Sequence, residues 1–238
     1  MRFDGFVRLV REVWFGRFVG FVGFVGFMLM LGAGACSSTA AAPTVVVPAP
    51  AVDDALAAKS DQKMAVFAGG CFWGIQAVFQ HVNGVVLATS GYSGGEEATA
   101  HYELVSNGNT GHAESVQIIY DPSKVTYGTL LRVFFSVAHD PTEINRQGPD
   151  EGPQYRSAVF TVNPEQEKIV TAYIAQLDGA SVFASPIATK VTPLDGFYAA
   201  EEYHQNYLNK HPNEPYIVIN DAPKVAALQK QFGSLYKR

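Results

Sequence analysis

Ala65-Val66-Phe67-Ala68-Gly69-Gly70-Cys71-Phe72-Trp73-Gly74 is the stretch from which the fold is read. Four apolar residues run into two glycines, a cysteine and two aromatics. Helical spacing follows at once, with Ile75, Val78 and Phe79 on one face. The order is strand, tight turn, helix, and it sets Cys71 at or near a helix N-terminus. Unpaired backbone N–H groups and the positive end of the helix dipole favour a thiolate there. The chain has two cysteines, and the other, Cys36, lies in the apolar N-terminal region. Cys71 is thus the one thiol in the body of the protein. It is read as a redox nucleophile, against the plainer reading of a buried core cysteine beside aromatics.

The pattern continues outward from that stretch. Met64–Ala68 reads as a strand and Phe72–His81 as a helix, with a turn at Asn83-Gly84. Val85–Tyr92 reads as a strand, His101–Val105 as a short helix, and alternation marks His112–Tyr120 as a strand. Thr126–Val137 is an amphipathic helix with Thr126 as its cap. Ser157–Val162 is a strand, and Asn163-Pro164 opens a helix from Glu165 to about Leu177. Lys190–Thr192 reads as a short strand, with helices over Ala199–Asn209 and Lys224–Tyr236. Without the insertions the order is βαββαβ, consistent with a two-layer ferredoxin-like plait of the α/β (α+β) class. His139–Tyr155 is a long polar loop, and such a loop in a compact domain is usually functional.

Residues 1–36 have the order of an export signal. Arg2, Arg8, Arg11 and Arg17 form a basic start, an apolar run spans Phe18–Leu31, and small residues lead to Cys36-Ser37-Ser38. Small residues before a cysteine resemble the lipobox of bacterial lipoproteins, in which Cys36 becomes the lipidated N-terminus. Two other readings are open: an uncleaved membrane anchor, since no charge falls between Arg17 and Asp53, and a secreted product. Each places the body outside the cytoplasm, in the cell envelope or beyond it. Residues 37–61, rich in Ala and Pro, read as a poorly ordered tether. The catalytic domain is expected over 62–215, with a helical tail over 216–238. The formal net charge of −5 and the lack of a basic block in the second half disfavour nucleic acid as a partner.

Other motifs give weaker signals. Gly91-Tyr92-Ser93-Gly94-Gly95 is glycine-rich but has neither the spacing nor the Lys-Ser/Thr of a phosphate cradle. His112, His139 and His204 raise a Cys–His hydrolase, but hydrogen bonding in loops and packing are the plainer roles. Glu201 and His204 have Glu-x-x-His spacing, yet a second such motif is missing, so no metal is expected.

The segments together resemble the peptide methionine sulfoxide reductase A family. They are Gly70-Cys71-Phe72-Trp73-Gly74, Gly91-Tyr92-Ser93-Gly94-Gly95, Thr110-Gly111-His112-Ala113-Glu114 and Tyr120-Asp121-Pro122. His139-Asp140-Pro141-Thr142, Gln147-Gly148-Pro149-Asp150-Glu151-Gly152, Gln154-Tyr155-Arg156-Ser157 and Ala200-Glu201-Glu202-Tyr203-His204-Gln205 continue the match. The resemblance implies an α/β plait and a thiol-dependent reductase acting on the S epimer of methionine sulfoxide, peptide-bound or free. In it Cys71 is the nucleophile, passing through a sulfenic acid, and Glu114 the proton donor. Phe72 and Trp73 wall the S-methyl group, and Tyr102, Asp150 and Tyr155 orient the sulfoxide oxygen. No bound cofactor is implied. Many members carry resolving cysteines near the C-terminus; here no cysteine follows Tyr203. An external thiol, either a small molecule or a thioredoxin- or glutaredoxin-like protein, is then required. The implied role is repair of oxidised envelope proteins; the alternative is a binding module that keeps the fold without catalysis.

Overall fold

The computed structural model describes residues 47–238. The export-signal region, Cys36 and the first part of the Ala/Pro-rich segment lie outside the described residues.

Alternation along the first strand sets the layers. In β1 (Lys63–Ala68), Ala65 and Phe67 face one way and Val66 and Ala68 the other. Phe67 packs on Phe79, Tyr127 and Phe134, with ring centroids 5.5, 6.0 and 4.9 Å away. Aromatic pairs at such separations add to simple burial. Val66 and Ala68 join Ala113, Ala158 and Phe160 in a smaller apolar cluster. Both faces are covered, and β1 therefore reads as a continuous apolar run.

The chain continues through α1 (Phe72–Gln80), β2 (Val85–Ser93), α2 (Tyr102–Val105), β3 (Ala113–Tyr120) and α3 (Tyr127–Val133). Next come β4 (Arg146–Gln147), β5 (Asp150–Glu151), β6 (Ala158–Thr161), α4 (Pro164–Gly179), β7 (Lys190–Pro193) and β8 (Phe197–Ala199). The last elements are α5 (Tyr207–Lys210) and α6 (Ala222–Gln231). The main sheet runs β7-β6-β1-β3-β2-β8. Its inner four strands are antiparallel neighbours in the order β6-β1-β3-β2, which is the plait that the βαββαβ order predicts. β7 joins β6 in parallel and makes the sheet mixed; β8 extends the other edge beside β2.

Several expectations are refined. The loop at 139–155 contains a two-stranded hairpin, β4–β5, and a 3-10 turn at Pro153–Tyr155. The helix expected over Ala199–Asn209 is instead the end of β8, a 3-10 turn at Glu202–His204, and α5. Asn206, in the left-handed region at φ 57°, interrupts it. The last helix begins at Ala222, behind a π-helical turn at Ile217–Asp221, and ends at Gln231. Within residues 216–238, expected as a tail, α6 packs on α1. Asn83 N donates to Leu235 O at 2.6 Å and Lys237 N to His81 O at 2.8 Å.

From Val47 onward the Ala/Pro-rich segment is fastened to the domain. Val47 is buried, and its carbonyl accepts from Arg132 Nε at 2.9 Å. Tyr173 Oη donates to Pro48 O, and Gln176 brackets Ala49 and Ala51. Asp53 accepts from Gly128 N at 2.7 Å, placing a carboxylate at the N-terminus of α3 where the helix dipole favours it. A poorly ordered tether was expected here because Ala and Pro offer no sequence sign of the partners on α3 and α4.

Candidate active site

The site is built where β1 turns into α1. Gly70 adopts φ +94°, a conformation that side chains rarely take, and a Cβ there would stand 2.5 Å from Gln147 Cγ. Gln147 in turn bonds the backbone of Asp140 at both of its amide atoms. His139 lies under Gly69, its ring 2.7 Å from where a Cβ would be. It donates from Nδ1 to Phe134 O and accepts at Nε2 from Ser157 Oγ, and burial pushes its pKa down to about 3. Both ring nitrogens of His139 are committed, which fits the structural role expected of it. The turn delivers Cys71 to the N-cap position of α1, only 8 % exposed.

Helix position alone does not set the state of this thiol. Burial pushes its pKa well above the ordinary value, and the charges of Glu114 and Asp221 push it further. The Trp73 backbone N–H and the Lys224 ammonium act in the opposite direction with less effect. The thiolate-favouring helix start expected from the sequence is present, and desolvation outweighs it.

Glu114 reaches the same place from β3. It is 3 % exposed and accepts a hydrogen bond from the Phe72 backbone N–H at 3.0 Å. Desolvation pushes its pKa up to about 8, and that one hydrogen bond only partly opposes the shift. Near neutral pH this carboxyl therefore holds a proton.

All seven residues singled out from the sequence line one pocket of about 280 Å³: Cys71, Phe72, Trp73, Tyr102, Glu114, Asp150 and Tyr155. Burial leads the causes that raise the pKa of Tyr102 and Tyr155, so both keep their O–H groups. Glu214 and Tyr216 also line it and carried no signal in the sequence. Tyr216 Oη donates to Asp150 Oδ2, and its ring meets Trp73 edge-on at 5.9 Å. Tyr207 stacks on Trp73 at 3.7 Å with the planes 6° apart. Trp73 Nε1 donates to His204 Nδ1 at 3.2 Å, which fixes the indole. Glu201 accepts from Tyr92 Oη and from Tyr102 N, so the Glu-x-x-His pair braces the pocket wall. Among the described residues no cluster of three or more His, Cys, Asp or Glu side chains is placed to hold a metal ion. The glycine-rich segment at 91–95 closes against Thr110 and Gly111, and Arg156 donates to the Gly111 and His112 carbonyls.

The model for peptide methionine sulfoxide reductase matches residues 63–235. The chain belongs to that family. A peptide methionine sulfoxide reductase MsrA 2 of Mesorhizobium japonicum is 59 % identical over 172 residues, covering 72 % of this chain and 88 % of the relative. One from Synechocystis is 50 % identical over 195 residues, covering 81 % and 91 %. Among solved structures, reduced Mxr1 of Saccharomyces cerevisiae aligns with a TM-score of 0.59 at 34 % identity, covering 67 % of this chain and 94 % of that one. Methionine sulfoxide reductase A of Corynebacterium diphtheriae aligns with a TM-score of 0.55 at 35 % identity, covering 65 % and 77 %. The family match thus spans β1 to the end of α6, including the C-terminal segment that brings Tyr216 to the pocket. A motif search finds Cys71 and Glu114 easily in a member of this family. Glu214 and Tyr216 lie outside the sequence motifs quoted above and become visible only when the pocket is built.

Proposed function

We propose that this pocket reduces the S epimer of methionine sulfoxide, peptide-bound and free, through a sulfenic acid on Cys71. Reduction of peptide methionine sulfoxide is the activity of the family; the roles of the residues are the proposal. The reading rests on one observation: a carboxyl that keeps its proton near neutral pH, Glu114, shares a desolvated pocket with the lone cysteine of the described residues. The Cys71 sulfur attacks the sulfoxide sulfur while Glu114 gives a proton to the departing oxygen. Oxygen passes to Cys71, methionine leaves, and the thiol's proton returns to Glu114. Sulfoxide plus thiol thus gives sulfide plus sulfenic acid. Phe72 and Trp73 offer apolar and aromatic surface to the S-methyl group. Tyr102, Tyr155 and the Tyr216-bonded Asp150 supply polar groups for the oxygen.

The sulfenic acid needs two external thiols, which leave as a disulfide with one water. No cysteine follows Tyr203 to resolve it within the C-terminal segment. The export-like N-terminus supports an envelope location, anchored through a lipidated Cys36 or an uncleaved apolar segment. Among the described residues no helix is long and apolar enough to cross a membrane.

The deciding experiment incubates the protein with dithiothreitol and each epimer of a methionine sulfoxide derivative. Consumption of the S epimer, and its loss in Cys71→Ser with an unchanged circular dichroism spectrum, is the expected result. Consumption of neither epimer would leave a binding module that keeps the fold; turnover by Cys71→Ser would refute the nucleophile.

A further inference from the structure

Behind the nucleophile lies a charge pair that no step above uses. Gly74 stands three residues after Cys71, and residues three apart share a helix face. That face carries no side chain at Gly74. A Cβ there would lie 2.2 Å from Asp221 Oδ1 and 2.9 Å from Lys224 Nζ. The missing side chain lets the C-terminal segment set both charged groups against the first turn of α1. Asp221 is fully buried and Lys224 is 17 % exposed, and they are joined at 3.1 Å. Asp221 Oδ2 has no hydrogen-bond partner. A buried carboxylate with one free oxygen is costly on its own. The chain nevertheless places it against the first turn of the helix that Cys71 caps.

We propose that Asp221 and Lys224 set opposing fields at the nucleophile: the Lys224 ammonium, held against the first turn of α1, supports the Cys71 thiolate, and the Asp221 carboxylate opposes it. This inference rests on Cys71 being the reactive thiol. Other polar groups surround the thiol from every side. Glu114 comes from β3, Tyr102 from α2, Asp150 from β5, Tyr155 from the 3-10 turn, Tyr207 from α5 and Tyr216 from the C-terminal segment. Against the carboxyls, Lys224 supplies the positive field. It opposes the charges of Glu114 and Asp221, and Asp221 has the larger effect of the pair. The two members therefore act on the thiol with opposite signs.

The test is alkylation of Cys71 by iodoacetamide as a function of pH, read on its peptide by mass spectrometry in the full chain. Lys224→Gln is expected to move the profile to higher pH, slowing alkylation about threefold or more at a fixed pH below the midpoint. Asp221→Asn is expected to move it to lower pH, by a comparable factor in the other direction, and Lys224→Arg to restore the wild-type profile. Thermal melts establish that each variant is folded. Two shifts of the same sign, or none, would overturn the proposal. If Asp221→Asn fails to fold, identical profiles for Lys224→Gln and Lys224→Arg overturn it instead. Alkylation does not require sulfoxide turnover. An inactive protein whose profiles split as stated would retire the reductase reading and leave this one standing.

Discussion

Glu114 shows how one side chain can both restrain and serve its neighbour. When charged it opposes the Cys71 thiolate; when protonated it withdraws that opposition and holds the proton that sulfoxide chemistry consumes. Glu114→Gln keeps the shape and removes both the charge and the transferable proton. Two measurements should then move in opposite directions. Above about pH 8, where Glu114 is charged, alkylation of Cys71 should quicken, because a source of negative field is gone. Sulfoxide reduction should slow by about 10²–10⁴-fold, the usual worth of general acid catalysis. A change in turnover under about threefold would remove Glu114 from the mechanism.

At the scale of elements, the turn between β1 and α1 is the part with least freedom. Gly70→Ala would force φ +94° on an alanine and drive its Cβ into Gln147, which holds the loop at Asp140. The expected cost is about 1–3 kcal/mol, seen as a lower melting temperature, with a matching loss of activity as Cys71 shifts. An unchanged melting temperature would show that the β4–β5 loop yields freely. This turn was legible in the sequence because its determinants are local: an apolar run, two glycines and helical spacing. The inner strands were legible for the same reason, from alternation and bounding turns. The hairpin β4–β5, β8 and the break at Asn206 were not. The hairpin strands have two residues each, too few to show alternation; β8 has three and is held by β2, far along the chain; and the third depends on one residue's left-handed backbone. Tyr216 and Asp221 were hidden likewise: their meaning comes from Asp150 and Gly74, many residues away.

For the whole molecule, burying Glu114 ties stability to pH. Its pKa in the folded protein, about 8, lies above the ordinary 4.5, so the folded state holds a proton that the unfolded chain has released in between. The sign follows: this contribution is fully present below about 4.5 and is lost as pH rises through about 8. Wild-type stability should therefore fall over that window more steeply than that of Glu114→Gln. Denaturant titrations of both proteins at acidic and mildly alkaline pH check it; parallel pH dependence would show that Glu114 is charged in the folded state.

The fastening of residues 47–54 gives the molecule a load path. Tension applied along the chain from its amino-terminal side meets Val47, Pro48 and Asp53 before it reaches β1. Those contacts lie on α3 and α4, away from the Gly69-Gly70 turn. A pull would peel that strap first, one hydrogen bond after another, and leave the geometry around Cys71 unstrained until the strap is spent.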